Sequence, residues 1–164
     1  METSAQGHPH GAMRRKEREI KDRAEIDEIL NRERVMHLAL ADNNIPFVVP
    51  VFYAYDGASL YFHSAKAGTK MEIIKRNDNV CFEISIFEGV APSDAACNFE
   101  ARHRTVIGCG KAALVEDDDE KTKALDLIVA AFTNEKFTYS KKNLERTQVV
   151  RIDIASVKGK KHGV

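Results

Sequence analysis

This chain lacks most of the features that announce a function outright. It has no excess of either charge: Lys plus Arg and Asp plus Glu each number 25 in 164 residues. That balance leaves no electrostatic footprint for DNA or RNA. No apolar run approaches the ~20 residues that a membrane helix requires, and the opening METSAQGHPHGAMRRKER has no hydrophobic signal core. Cysteine is scarce, and Cys81, Cys97 and Cys109 are odd in number and scattered. They fit neither a disulfide framework nor a zinc site, and they suit a reduced, cytoplasmic protein. No internal repeat is visible, and the apolar fraction of 43% excludes disorder for the bulk of the chain.

What remains is one domain's worth of periodic sequence. Residues 1–13 are small, polar and aperiodic and read as a disordered lead-in; residues 14–164 form the domain. His8 and His10 in the lead-in have no third ligand nearby, so no metal site is assigned. Arg14, Arg15 and Lys16 make a solvated basic run. Asp22, with Glu25 three residues on, caps a helix that carries Ile26, Ile29 and Leu30 on one stripe.

Alternation then replaces the helical period. Val35–Ala41 and Pro46–Tyr55 read as strands, the second interrupted by Pro50, which cannot donate to a ladder. Asp56-Gly57 is a hairpin turn into Leu60–His63. Asn79–Phe87 is a further strand, 88–100 a loop, and His103–Val115 a strand whose Gly108 and Gly110 permit a bulge or the close packing of a ligand. Asp117–Glu120 opens a helix with Leu125, Ile128, Val129 and Phe132 on its buried face. Gln148–Ile154 is the last strand, and a basic tail from Lys158 follows. The pattern predicts a small antiparallel barrel with helices outside.

The run LYFHSAKAGTKMEIIKRNDNVCF, Leu60 to Phe82, is the most informative stretch. It reads strand, polar turn, short amphipathic helix, strand. His63 and Ser64 leave the first strand, Gly68 lets the backbone come close, and Thr69-Lys70 opens the helix. A helix start offers unpaired N–H groups and the positive end of the macrodipole, so these residues suit a phosphate. The alternative is an ordinary solvated turn, with Thr69 and Glu72 as a capping box.

Taken in order, RRKEREIKDRAEIDEIL, PFVVPVFYAYDG, LYFHSAKAGTKMEIIKRNDNVCFEI, RTVIGCGKAALVED and LERTQVVRIDIASVKGKK resemble the pyridoxamine 5′-phosphate oxidase-like, flavin-binding split-barrel family. Within it, the nitroimidazole-resistance branch is the most similar. The resemblance implies an α+β, mainly β fold: a split barrel of about six antiparallel strands with flanking helices, packed as a two-fold dimer. It implies FMN at the subunit interface. His63, Ser64, Gly68, Thr69 and Lys70 would grip the phosphate, with Arg104 and Thr105 from the later strand. The flavin ring would lie against the main chain of Val49, Pro50 and Val51, with Tyr61 also contacting the cofactor. Lys111 would reach the ring's pyrimidine edge. His63 is the first choice for a reactive side chain, while His37 and His103 are assigned to structure.

The family's pyridoxamine phosphate oxidases carry a C-terminal segment containing arginine and tryptophan. This chain has no tryptophan at all, so vitamin B6 oxidation is not expected. The expected activity is an FMN-dependent reduction of a small electron-poor substrate such as a nitroaromatic, with an unidentified electron donor. A non-catalytic flavin- or haem-binding protein is the second reading. An oligonucleotide-binding barrel is a poor third, since no basic-aromatic stripe is present.

Overall fold

The computed structural model describes residues 9–164. The expected lead-in therefore lies mostly outside the described residues. Its described part has no regular structure and is met by Lys158, whose Nζ donates to the Gly11 carbonyl at 3.0 Å.

Eight strands form one antiparallel sheet: β1 (Glu19–Ile20), β2 (Val35–Asp42), β3 (Ile45–Phe52), β4 (Ala54–Tyr55), β5 (Ser59–Ala65), β6 (Asn79–Ala91), β7 (Glu100–Val115) and β8 (Thr147–His162). The order is β3-β2-β6-β7-β8-β5-β4, with β1 added to β8. Helices α1 (Arg23–Arg32), α2 (Thr69–Arg76), α3 (Asp118–Ala130) and α4 (Lys141–Arg146) lie between strands. The sheet curls so that β3 and β5 approach each other without pairing. That seam makes the fold an open split barrel of α+β class.

The local chemistry explains the elements. β2 and β3 are joined by Asn43 and Asn44, both at positive φ (50° and 66°), which is the two-residue turn that matches strand twist. Asp22 caps α1 by accepting from the Ala24 N–H, and Asp117 caps α3 by accepting from the Glu120 N–H. The barrel interior is filled by Met36, Leu38, Leu60, Phe62, Phe82, Ile84, Val106 and Ile152, all fully buried. Ile26, Ile29 and Leu30 of α1 close one end, where the Tyr53 hydroxyl donates to the Leu30 carbonyl at 2.7 Å. A second cluster joins Leu125 of α3 and Leu144 of α4 to Val115 and Val149, with Tyr61 against it.

Several expectations need correction. The strand foreseen at Pro46–Tyr55 breaks at Tyr53, and β6 and β7 run long, so the loop between them shrinks to 92–99. The supposed basic tail is the second half of β8. There Gly159 packs under Ile20 and Ile26, and the Lys161 Nζ reaches the Glu25 carboxylate at 2.9 Å. Helix α4 has no counterpart in the sequence reading. Phe132 lies past the end of α3, exposed, with its ring edge-on to Phe52. Strand packing requires both Gly108 and Gly110: a Cβ at Gly108 would sit 2.2 Å from the Phe82 ring, and one at Gly110 2.3 Å from the Asp153 carbonyl oxygen. A register shift does occur beside them, but the extra residue is Ala155 of β8: Cys109 is opposite Ser156 and Gly110 opposite Ile154.

Candidate anion and cofactor site at the barrel seam

Helix α2 begins unlike α1, α3 and α4. Its N-cap is Gly68, at φ +113°, and no side chain caps its first turn. The capping box expected from Thr69 and Glu72 does not form, because Gly68 places Thr69 inside the helix. The first-turn N–H groups, apart from the Glu72 N–H bonded to the Gly68 carbonyl, are thus left for an external acceptor. Met71, Ile73 and Ile74 anchor the helix in the core, so its start is held rigidly.

Lys70 stands in that first turn. It is half-buried, its Nζ lies 5.1 Å from the centroid of the Phe62 ring, and it makes no ion pair among the described residues. Burial pulls its ammonium below the ordinary lysine range. A cation desolvated without a counterion is destabilised where it stands, and an anion would relieve it.

An open cavity of ≈ 350 Å³ lies beside it, lined by Val35, Pro50, Val51, Phe52, His63 and Lys70. It sits at the seam between β3 and β5. The Tyr53 N–H donates to the Arg34 carbonyl at 3.1 Å, which fixes the phase of the β2–β3 ladder. By the antiparallel alternation, odd-numbered residues of β3 turn their backbone groups to β2, and even-numbered ones turn theirs to the seam. Val49 and Val51 therefore spend their main-chain groups on β2. Pro50, which has no N–H, faces the open edge with the backbone of Val48 and Phe52. Val48 and Phe52 also expose their side chains, at 62% and 58%. The sequence reading missed Val35 and Phe52 as cavity walls. The signal available was a solvent-side row of apolar residues at every second position of β3.

His63, on β5, is exposed at the cavity and makes no hydrogen bond in the described structure. Ser64 follows it, half-buried, opposite Gln148 of β8. His63 and Lys70 line the same cavity, and Gly68 and Thr69 precede Lys70 at the start of α2.

Four others do not line that cavity. Arg104 lies at the far end of β7, opposite Ile86 and Lys161, whereas His63 is opposite Val149, itself opposite Val115. Its guanidinium is held between Glu88, at 2.8 Å, and Glu28, at 3.0 Å, with only 13% of the side chain exposed. Thr105 hydrogen-bonds Ser85 at 2.9 Å on the outer face. Tyr61 packs toward α3 and α4, and burial, with Asp56 nearby, pushes its hydroxyl up to about 12. The Lys111 Nζ donates to the Asp78 carboxylate at 2.7 Å and lines a separate cavity. Within this chain, then, none of these reaches the α2 start.

The donor set fits a phosphate attached to a larger apolar group: first-turn N–H donors, one lysine and an apolar wall. No cluster of three or more potential metal ligands occurs among the described residues, and no helix there is long and apolar enough to cross a membrane.

The family model described as pyridoxamine 5′-phosphate oxidase matches residues 22–161. No curated protein matches. Among solved structures, a Bacteroides thetaiotaomicron VPI-5482 protein, provisionally described as a 5-nitroimidazole antibiotic resistance protein, is 30% identical. That match covers 87% of this chain and 85% of the other, with a TM-score of 0.78. The flavocytochrome Anf3 of Azotobacter vinelandii is 24% identical over 94% of this chain and 73% of its own, TM-score 0.84. An FAD and heme binding protein of Mycobacterium smegmatis is 18% identical over 90% and 74%, TM-score 0.82, a likeness of fold alone. With the family model spanning nearly every element from α1 to β8, the chain belongs to the pyridoxamine 5′-phosphate oxidase-like family.

Proposed function

We propose that this protein binds FMN at the β3–β5 seam and uses it to reduce small electron-poor substrates, nitroimidazoles and other nitroaromatics among them. The observation that carries the reading is the uncapped start of α2 with the half-buried, unpaired Lys70 in its first turn. The functions described for relatives support flavin binding and a nitroimidazole substrate: one is linked to 5-nitroimidazole resistance, and others bind FAD.

FMN, when bound, supplies the electron transfer that no side chain here provides. The chain's residues do the rest. Lys70 and the α2 N–H groups hold the phosphate by charge-assisted hydrogen bonds. Pro50 adds no N–H of its own to the open edge, and Phe52 and Val35 keep water from one side of the site. His63 offers a ring nitrogen to a substrate at the cavity mouth. We further propose a homodimer, in which a second copy covers the apolar side chains of Val48 and Phe52 and completes each site. Arg104, Thr105, Tyr61 and Lys111 could reach a site only across that dimer interface.

A haem-binding or purely flavin-storing role is the second reading. The heme-binding relatives and the unpartnered His63 at the cavity favour it.

Purified protein is expected to be yellow and to release FMN, and not FAD, on denaturation. Its flavin is expected to be reduced by NAD(P)H or another donor and reoxidised by a nitroimidazole. Light scattering should return twice the chain mass. A colourless preparation that takes up no added FMN overturns the proposal, and a Soret band selects the haem reading.

A further inference from the structure

We propose that Cys81 and Cys109 are a redox-modifiable pair that closes to a cross-strand disulfide by exchange with a low-molecular-weight disulfide. The two residues are 28 positions apart in sequence (109 − 81) yet directly opposed in the β6–β7 register. The phase of that ladder is set by the Ala112 N–H, which donates to the Asp78 carbonyl at 2.8 Å. Even-numbered residues of β6 therefore exchange hydrogen bonds with β7, and Cys81–Cys109 is a non-hydrogen-bonded pair. Cα atoms in such pairs stand ~4.5 Å apart with side chains close together, inside the ~4.4–6.8 Å span of disulfides. Cys109 is close enough to help push the Cys81 thiol up, after burial.

Access is the second requirement. Both cysteines are half-buried and form part of the wall of a cavity of ≈ 570 Å³ on the outer face of β2, β6, β7 and β8, distinct from the seam. A small disulfide can enter there, which a core cysteine would not allow.

The exchange takes two steps. The thiolate of one cysteine attacks one sulfur of the external disulfide and expels one thiol. The opposed cysteine then yields its proton to solvent and attacks that protein sulfur, expelling the second thiol. One external S–S bond is broken, one protein S–S bond forms, and the two electrons lost by the cysteines leave as two external thiols. In a reducing compartment such a bond is transient, as sensing pairs are.

Oxidised glutathione is the probe, applied to the folded Cys97→Ser variant, since Cys97 is exposed and would otherwise react alone. Intact mass should fall by two hydrogens, both alkylatable thiols should vanish, and dithiothreitol should restore both. In Cys81→Ser/Cys97→Ser, Cys109 should instead keep one bound glutathione. The proposal is overturned if both thiols of Cys97→Ser remain alkylatable, or if the protein stops as a stable glutathione adduct. These readings on Cys97→Ser decide the matter even if the double variant fails to fold.

Discussion

Replacing Lys70 by alanine separates a phosphate-binding role from a merely structural one. Lys70 is half-buried over Phe62 and has no ion-pair partner among the described residues, so its removal orphans no carboxylate. Alanine is a good helix former, and the core side of α2 is carried by Met71, Ile73 and Ile74, so the fold should persist. If Lys70 pairs with the FMN phosphate, the lost charge-assisted contact is worth ~1.5–3 kcal/mol. At ~1.4 kcal/mol per tenfold, FMN binding should weaken by about one to two orders of magnitude. Riboflavin shares the ring but lacks the phosphate, and its affinity should change far less. Fluorescence titration of both ligands into wild type and Lys70→Ala measures the difference. Equal losses for the two ligands would mean that Lys70 acts through the ring or the fold, and the assignment of the α2 start would be wrong.

Further outcomes can be stated. Because burial lowers Lys70, FMN affinity should fall as pH rises through its depressed value, below 10.5, while riboflavin affinity stays flat; titrations from neutral to alkaline pH check this. The ligand-free protein responds oppositely. In the window between the folded and unfolded values the unfolded chain holds more protons, so stability rises with pH there, and Lys70→Ala should remove that rise in denaturant midpoints. Gly108→Ala would drive a methyl into the Phe82 ring and should destabilise by about 1–3 kcal/mol in urea unfolding. Tyr53→Phe leaves the Leu30 carbonyl without its buried donor and should cost about 1–3 kcal/mol by the same assay, with FMN affinity unchanged.

Legibility in the sequence followed the range of each interaction. The Asp56-Gly57 turn was readable because its chemistry is local: the Asp56 carboxylate accepts from the Ala58 and Ser59 N–H groups. The helix caps at Asp22 and Asp117 were readable for the same reason. Thr69 misled because T-x-x-E satisfies a local rule, while the positive φ of Gly68 moves the helix start by one residue. Arg104 misled more seriously. Its partners Glu28 and Glu88 lie 76 and 16 residues away, and nothing near it in sequence showed that its charge was already engaged. Lys158–Lys161 looked like a solvated tail because their long side chains hide an alternating strand, whose register only Glu25 and Ile20 reveal. The phosphate half of the site was legible as a turn, and the apolar half required knowing that β3 has an open edge.

The position of β8 bears on how the chain acquires its shape. It follows every other element described, yet it lies between β7 and β5, pairing with β7 from Val149 to His162 and with β5 from Thr147 to Asp153. Until it arrives, the β4–β5 hairpin has no hydrogen-bonded neighbour on one side and β7 presents an unpaired edge to anything nearby. Ribosome-bound intermediates lacking this segment should be open sheets, vulnerable to edge-to-edge association. Closure waits on contacts between distant parts of the sequence, which slows folding. Nonsense mutations upstream of Thr147 should thus yield aggregates and proteolysis products in place of a shortened working barrel.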